Sequence, residues 1–179
     1  MVNARVQRPP VTSVLEPLRQ TARRYRGGAD RPILGYLALD VTYLSVVSAI
    51  GVTLRRRRIP LPERLSVADL GLVGLATHKA ARTLAKDAVT SPLRAPFNRY
   101  KGPGQPAELN EEIVIEGPAH AVGELLSCPF CLDQWVATGF VTGLVMAPRG
   151  TRLVMATFGA VAIADFLQLA YALIGNAAD

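Results

Sequence analysis

The chain has 179 residues, of which half are apolar, and a formal net charge of +6. Its length suits one compact domain. The apolar residues are gathered into blocks between Arg- and Pro-rich segments, a pattern typical of membrane spans rather than of a soluble core. Because the arginines flank these blocks, the positive charge indicates lipid head groups and membrane orientation, and we expect no nucleic acid partner. The two cysteines, three residues apart, cannot staple a small secreted fold.

Residues 1–31 form a basic N-terminal arm with seven arginines and only two opposing carboxylates. No signal-peptide cleavage site follows an apolar region here. Leu15, Leu18 and Ala22 fall at helical spacing, which favours an amphipathic helix over 14–25. The arm is either a mobile solvated tail or a segment that lies on anionic lipid.

The first apolar block, residues 33–54, is the first predicted transmembrane helix. Its 22 residues carry one charge, Asp40, and they span the ~30 Å hydrocarbon core at ~1.5 Å per residue. Four arginines, 55–58, end it in a polar environment. Asp40 either faces a partner or water inside the membrane or lies close enough to the head groups to stay wet.

The second block, residues 65–85, is predicted to span the membrane, with a shallow or partly buried helix as the alternative. Gly71 and Gly74 favour close helix contact in its first half. His78 and Arg82 share one helical face in its second half. Basic side chains in the last turns can reach an interface, which either arrangement would allow.

The segment 87–117 is predicted to be a polar loop. Its run of Gly and Pro residues, 102–106, is expected to break regular structure. One hypothesis is that Arg94, Arg99 and Lys101 grip an anionic head group or a phosphate-bearing ligand. The favoured alternative is a solvated connector with aromatic anchors at the membrane surface.

A short amphipathic helix is predicted over 118–126, followed by a third span over 129–147. Ser127 or Cys128 is expected to cap this span, with Pro129 in its first turn, where a missing N–H costs little. Asp133 then lies near the positive end of the helix dipole. The remaining features of the span are an interfacial tryptophan and two small residues for helix packing: Trp135, Gly139 and Gly143.

Three interpretations of the dithiol remain open. A thiol redox protein would use Cys128 as nucleophile and Cys131 as resolving thiol, since helix N-termini stabilise thiolates. A metal site would need a Cys₂His₂ set from these cysteines with His120 and His78, although their spacing matches no zinc signature. The favoured interpretation is that the thiols are packing groups at a tight helix entry, with no cofactor and no catalytic residue.

The fourth predicted span covers residues 153–174, after a short turn at 148–152. Asp165 lies near its middle with Gln168 one turn further on, and we expect both to face the bundle interior. Arg82 and His78 are the expected partners of Asp165. Such burial suits either helix assembly or an ion or proton path, and a single deep acidic group favours assembly.

Counting Lys and Arg in the connecting segments favours a cytoplasmic N-terminus, although it places residues 55–58 outside. The dithiol then lies on the cytoplasmic side, where it would stay reduced. If the second block does not span, the count nearly balances.

Several motifs together resemble a known bacterial family. They are the Arg-bearing helix 75–84, the loop start 86–97, the Cys-Pro-Phe-Cys entry with its tryptophan at 124–135, and the terminal 165–168. Over about 65–175 they resemble the family described as domain of unknown function 1360. The resemblance implies a small multi-pass membrane protein, in some members associated with sporulation, and adds no activity or catalytic residue.

The sequence therefore predicts an all-α integral membrane bundle of about four transmembrane helices in the cell membrane. We expect a non-enzymatic structural or partner-binding component, in contact with the lipid bilayer and with a second copy or another membrane protein. A membrane thiol redox or metal-binding protein and an anionic lipid or ligand binder are the alternatives.

Overall fold

The computed structural model describes residues 11–26 and 31–178. Within them the chain forms seven helices, a two-stranded sheet and one 3₁₀ turn, Ala88–Thr90. In chain order the helices and strands are α1 (Val11–Arg26), α2 (Ile33–Arg56), α3 (Val67–Lys86), α4 (Ser91–Arg94), β1 (Asn98–Pro103), β2 (Leu109–Ile113), α5 (Pro118–Ser127), α6 (Pro129–Met146) and α7 (Pro148–Ala178).

The four long helices predicted from the apolar blocks are all present, as are the helix in the N-terminal arm and the short helix before the dithiol. The remainder of the arm, residues 1–10 and 27–30, lies outside the described residues. Helix α3 begins two residues later than predicted because Ser66 is its N-cap and accepts a hydrogen bond from the Asp69 N–H at 3.0 Å.

The predicted turn at 148–152 is wrong. Helix α7 already begins at Pro148, so Ala147 alone separates it from α6. Proline is well accommodated in a first helical turn, where its missing N–H needs no partner. The tight corner also depends on Gly143, since a Cβ there would lie 2.7 Å from Thr151 Oγ1.

The core lies where α3 packs between α6 and α7. One cluster joins Val73 and Ala76 of α3 to Leu144 of α6 and Met155 of α7. A second cluster joins Ala81 and Ala85 of α3 to Leu132 of α6. The small side chains on α3 let its neighbours approach closely, and Gly159 of α7 lies against Leu72 in the same way.

Contacts at successive levels show the helix directions. Asp69 pairs with Arg152 at 2.8 Å, and about three turns further along both helices Lys79 pairs with Asp165 at 2.9 Å, so α3 and α7 run parallel. The two core clusters show that α6 runs antiparallel to α3.

Helix α2 runs in the direction of α6. It begins beside α5, where the Tyr36 hydroxyl bonds Glu124, and further along its Tyr43 reaches Trp135 and Thr138 of α6. The four long helices therefore alternate in direction along the chain.

The predicted partners of Asp165 were placed on the correct helix but at the wrong residues. The ion pair is made by Lys79, whereas His78 stacks on the neighbouring Phe166 with ring centroids 5.5 Å apart. Arg82 instead pairs with Glu108 of the polar segment.

Two of the described helices, α2 and α7, are long and apolar enough to cross a membrane. In α2 none of the most apolar stretch is buried, and in α7 only 17% of it is buried. Neither helix is therefore as buried as the core helix of a soluble protein. Helices α3 and α6 do not meet the same criterion. The fold is thus mostly helical with two candidate spans, rather than a demonstrated bundle of four.

The predicted polar loop 87–117 is in large part regular structure, which also corrects the all-α assignment. Strands β1 and β2 pair antiparallel, with Asn98 opposite Ile113 and Arg99 opposite Glu112. A register shift between Tyr100 and Gly102 absorbs one extra residue of β1 as a bulge. The Gly- and Pro-rich run provides the end of β1 and the turn of this hairpin.

A fully buried arginine, Arg94, holds the hairpin to the helices. Its Nε and Nη2 bond the two carboxylate oxygens of Glu111 at 2.8 and 3.0 Å. Its remaining N–H groups bond the carbonyl oxygens of Leu84 and Asp87 and the Thr90 hydroxyl at 2.7 to 3.0 Å. All five guanidinium donors are therefore satisfied, as burial of this charge requires.

The acidic partner responds to the same contact. Burial acts to raise the pKa of Glu111, but hydrogen bonds from Arg94 and Asn98 outweigh it and hold that pKa below its usual value. Asn98 also donates to Ser127 Oγ at 2.5 Å, at the end of α5. The Arg94 hub, meaning Arg94, Glu111 and Asn98, thus joins α3, the hairpin and α5.

Truncating Arg94 should destabilise the fold strongly. Arg94→Met leaves the Glu111 carboxylate buried without its partner, and we expect a loss of about 3–5 kcal/mol in the free energy of unfolding. Chemical denaturation in detergent micelles, followed by circular dichroism, measures it. The matched control is Lys101→Met, which breaks the exposed pair with Glu112 on the same hairpin and should cost less than about 1 kcal/mol.

The same variant has a pH signature. The pKa of Glu111 is lower in the folded protein than in the unfolded chain. The ionised carboxylate therefore contributes its full stabilisation of the fold above the unfolded-state pKa of ~4.3, and this stabilisation is lost as the pH falls through the folded-state pKa. The difference in stability between wild type and Arg94→Met should therefore shrink in acid. Equal stability of the two proteins at neutral pH would contradict the hub.

The crossing of α2 and α5 depends on Gly35, where an added Cβ would lie 2.5 Å from the Pro118 carbonyl oxygen. Gly35→Val should separate the helices and destabilise the fold by about 1–3 kcal/mol. Gly51→Ala in the same helix has open space around it and should be neutral or stabilising. Thermal unfolding of both variants tests this, and equal melting temperatures would contradict the close crossing.

Candidate functional site

The dithiol lies at the start of α6, and of the two residues predicted to cap this helix, Ser127 and Cys128, it is Cys128 that does so. Cys128 Sγ accepts a hydrogen bond from the Cys131 N–H at 3.3 Å, and Pro129 occupies the first helical position. Both cysteines are free thiols; Cys128 is half-buried and Cys131 is exposed. The first cysteine therefore has a structural task, capping, that a thiol performs more weakly than a hydroxyl.

Both thiols line a cavity of about 630 Å³ between α2, α5 and α6, which we call the dithiol cavity. Its volume is in the range of small-molecule sites. Leu39, Leu125 and Trp135 contribute apolar wall, and Trp135 is held edge-on against Tyr43 with ring centroids 5.1 Å apart. Asp40 also lines this cavity on the exposed surface of α2, so it is not enclosed in the helix bundle.

Glu124 organises the polar end of the dithiol cavity. Tyr36 donates its hydroxyl hydrogen to this carboxylate at 2.5 Å, and Arg31 approaches it at 3.4 Å. His120 lies one turn before Glu124 on α5, with Nε2 3.7 Å from the carboxylate and Nδ1 2.9 Å from the Ile115 carbonyl oxygen. These contacts tie α2 and the chain before it to α5.

The predicted Cys₂His₂ set is not brought together. His120 is engaged at the base of α5, while His78 lies between α3 and α7 against Phe166. Within residues 11–26 and 31–178, no three His, Cys, Asp or Glu side chains are grouped to hold a metal ion. Only the two cysteines of the proposed four are neighbours.

The anionic-ligand hypothesis is wrong for Arg94. Its guanidinium is fully buried and all of its donors are used within the fold. Arg99 and Lys101 are exposed on β1, and Lys101 pairs with Glu112 at 2.8 Å. The three cations therefore do not form one surface site.

The Arg94 hub is the feature that sequence reasoning missed, and it positions the dithiol. Asn98 bonds Ser127, the residue immediately before Cys128, so the hub reaches the wall of the dithiol cavity. The sequence offered one signal for this hub, the charge distribution along segment 87–117. Basic residues lie in its first half and glutamates in its second half, so ion pairs between the halves could be expected.

The residues predicted to be polar groups within the membrane do not form one cluster. His78 and Asp165 lie between α3 and α7, where Lys79 pairs with Asp165, while Arg82 joins Glu108 toward the hairpin. Gln168 is exposed on α7 rather than turned into the bundle. Pairing of Asp165 by a lysine from the adjacent helix suits helix assembly.

Comparison with known proteins places these elements in a family. A family model described as "Protein of unknown function (DUF1360)" matches residues 72–171. This range begins within α3, ends within α7 and contains the Arg94 hub and the dithiol, whereas α1 and α2 lie outside it.

One curated relative is the sporulation protein YjcA of Bacillus subtilis (strain 168). It is 30% identical over 101 residues, which make up 54% of this chain and 85% of that protein. No solved structure matches the chain significantly. Since the family match covers more than half of the chain, from within α3 to within α7, the protein belongs to the DUF1360 family.

Proposed function

We propose that the protein is a multi-pass integral membrane component that works by assembly with a partner rather than by catalysis. The observation that carries this proposal is the exposure of α2 and α7, two helices long and apolar enough to span, on the outside of the fold. In water such surfaces would associate, whereas in a bilayer they face lipid.

The alternation of helix directions supports four crossings. Helices α3 and α6 have 20 and 18 residues; α3 runs beside α7 and α6 for much of its length, and α6 meets α2 near Tyr43. Helices that alternate in direction between the same two ends are what consecutive crossings of one bilayer produce. Residues 55–58 lie at one end of these helices, and the hairpin lies at the other.

Charges between the helices have partners that suit a membrane. Lys79 and Asp165 neutralise each other between α3 and α7, and Asp69 and Arg152 do so at the ends of the same helices. Such pairing lowers the cost of polar groups at membrane depth and fixes the register of adjacent helices.

A process is proposed from the relative alone. The matched Bacillus subtilis protein is named a sporulation protein, and this chain covers most of its length. We infer that the present chain acts in a membrane of spore-forming cells, where it holds a partner in place. Thiol redox chemistry is the second candidate, favoured by the position of both thiols on one cavity wall.

The proposal predicts that the protein stays in the membrane pellet after alkaline carbonate extraction, as immunoblotting of native membranes would show. Release into the supernatant would contradict membrane insertion. The double variant Cys128→Ser, Cys131→Ser should fractionate identically, with unchanged or slightly higher thermal stability, because serine caps a helix at least as well as cysteine does.

The same double variant separates assembly from redox chemistry. In the cells that make the protein, spore yield should equal that of the wild type if the thiols only pack and cap. Loss of spore yield with a normal amount of folded protein in the membrane would favour the redox candidate instead.

A further inference from the structure

A second cavity, of about 420 Å³, lies open between α3 and α6, and we call it the α3/α6 groove. Its walls include Gly74, Thr77 and His78 from α3 and Asp133 and Gln134 from α6. It is separate from the dithiol cavity, although Gln134 lines both.

Two polar atoms of the α3/α6 groove lack partners. Thr77 is only 7% exposed, yet its hydroxyl makes no hydrogen bond within the described part of the chain. Asp133 Oδ1 is likewise buried and unbonded there. A serine or threonine in a helix usually bonds the carbonyl oxygen one turn back, and a buried unpaired oxygen is unfavourable. Both oxygens of the groove therefore lack a hydrogen-bond partner among the described residues.

The backbone of α3 is open at this groove and just before it. Added Cβ atoms at Gly74, which lines the groove, and at Gly71 would meet nothing within 4 Å, so the close helix contact predicted for these glycines is not made within the described residues. Leu70 beside them is 62% exposed. Small residues on a membrane helix that touch nothing in their own chain allow another helix to approach closely.

We propose that the α3/α6 groove is the interface of a symmetric homodimer in the membrane, an inference that rests on the proposed function. The occupant is a second copy because the groove is self-complementary. It holds a hydrogen-bond donor, His78, beside an acceptor, Asp133, so that two copies can satisfy each other. Among the described residues His78 makes only a stacking contact with Phe166, so its ring nitrogens remain available to Asp133 of the second copy.

Symmetry makes this pairing geometrically simple. A two-fold axis along the membrane normal keeps every residue at its own depth, and His78 and Asp133 line one cavity, so they lie at similar depths. Each copy then donates from His78 and accepts at Asp133, which gives two identical contacts. The two α3 helices cross at Gly71 and Gly74, where no side chain keeps the backbones apart.

The test measures energy transfer between donor- and acceptor-labelled copies of the full chain in phosphatidylcholine and phosphatidylglycerol vesicles. Wild type should dimerise as the protein-to-lipid ratio rises. Gly74→Leu should weaken dimerisation at least tenfold, because its side chain fills the groove. Gly51→Leu, at an equally open glycine of α2, is the matched control and should dimerise like wild type.

The polar contacts are tested in the same vesicles. Asp133→Leu and Thr77→Val should each weaken dimerisation between about threefold and tenfold, the range expected for hydrogen bonds between membrane helices. Circular dichroism reports whether each variant keeps its helix content.

Cross-linking keeps the proposal testable even if a groove variant fails to fold. In the background Cys128→Ser, Cys131→Ser, the variant Leu70→Cys should form a disulfide between copies on mild oxidation, whereas Leu173→Cys on the exposed surface of α7 should not.

A wild type that is monomeric at every dilution, or a Gly74→Leu variant that dimerises normally, overturns the dimer. If the protein is monomeric but stays in the membrane pellet after carbonate extraction, only the proposed dimer is contradicted. If carbonate extracts the protein, the proposed membrane function itself is contradicted.

Discussion

The ion pair between Arg94 and Glu111 is the interaction on which the arrangement of the other elements depends. A buried guanidinium must have its donors satisfied, and the five hydrogen bonds of Arg94 go to four residues at the end of α3, in the segment after it and in β2. These hydrogen bonds hold the hairpin, with its Gly- and Pro-rich turn, against the helices. Through Asn98 and Ser127 the same hub fixes the end of α5, and thereby the place where α6 begins.

Packing between the long helices supplies the other half of the architecture. Small residues let helices approach closely, and paired polar groups link them. Helix α3 shows both, with an alanine face against α6 and α7 and ion pairs at two levels along α7. Helix α2, which lies outside the family match, is bound mainly through α5, where Gly35 allows a close crossing.

Much of the helical structure could be predicted from sequence because its causes are local. Apolar blocks between charged segments marked the four long helices, and the Cys-Pro start marked the cap of α6. The hairpin was missed because Gly and Pro at 102–106 indicate a break, whereas its stability comes from Glu111, seventeen residues after Arg94. The ion-pair partner of Asp165 was also predicted wrongly because it depends on contacts between distant segments. Lys79 and Arg82 lie one turn apart on α3, and only the packed structure shows which of them reaches Asp165.

Topology is the measurement that tests the central claim of four crossings most directly. In the background Cys128→Ser, Cys131→Ser, single cysteines at Glu63, between α2 and α3, and at Gln105, in the hairpin turn, are labelled in intact cells with a membrane-impermeant thiol reagent. Four crossings predict that one position labels from outside and the other only after the cells are opened. Labelling of both positions from the same side would show that α3 does not cross and would contradict the account.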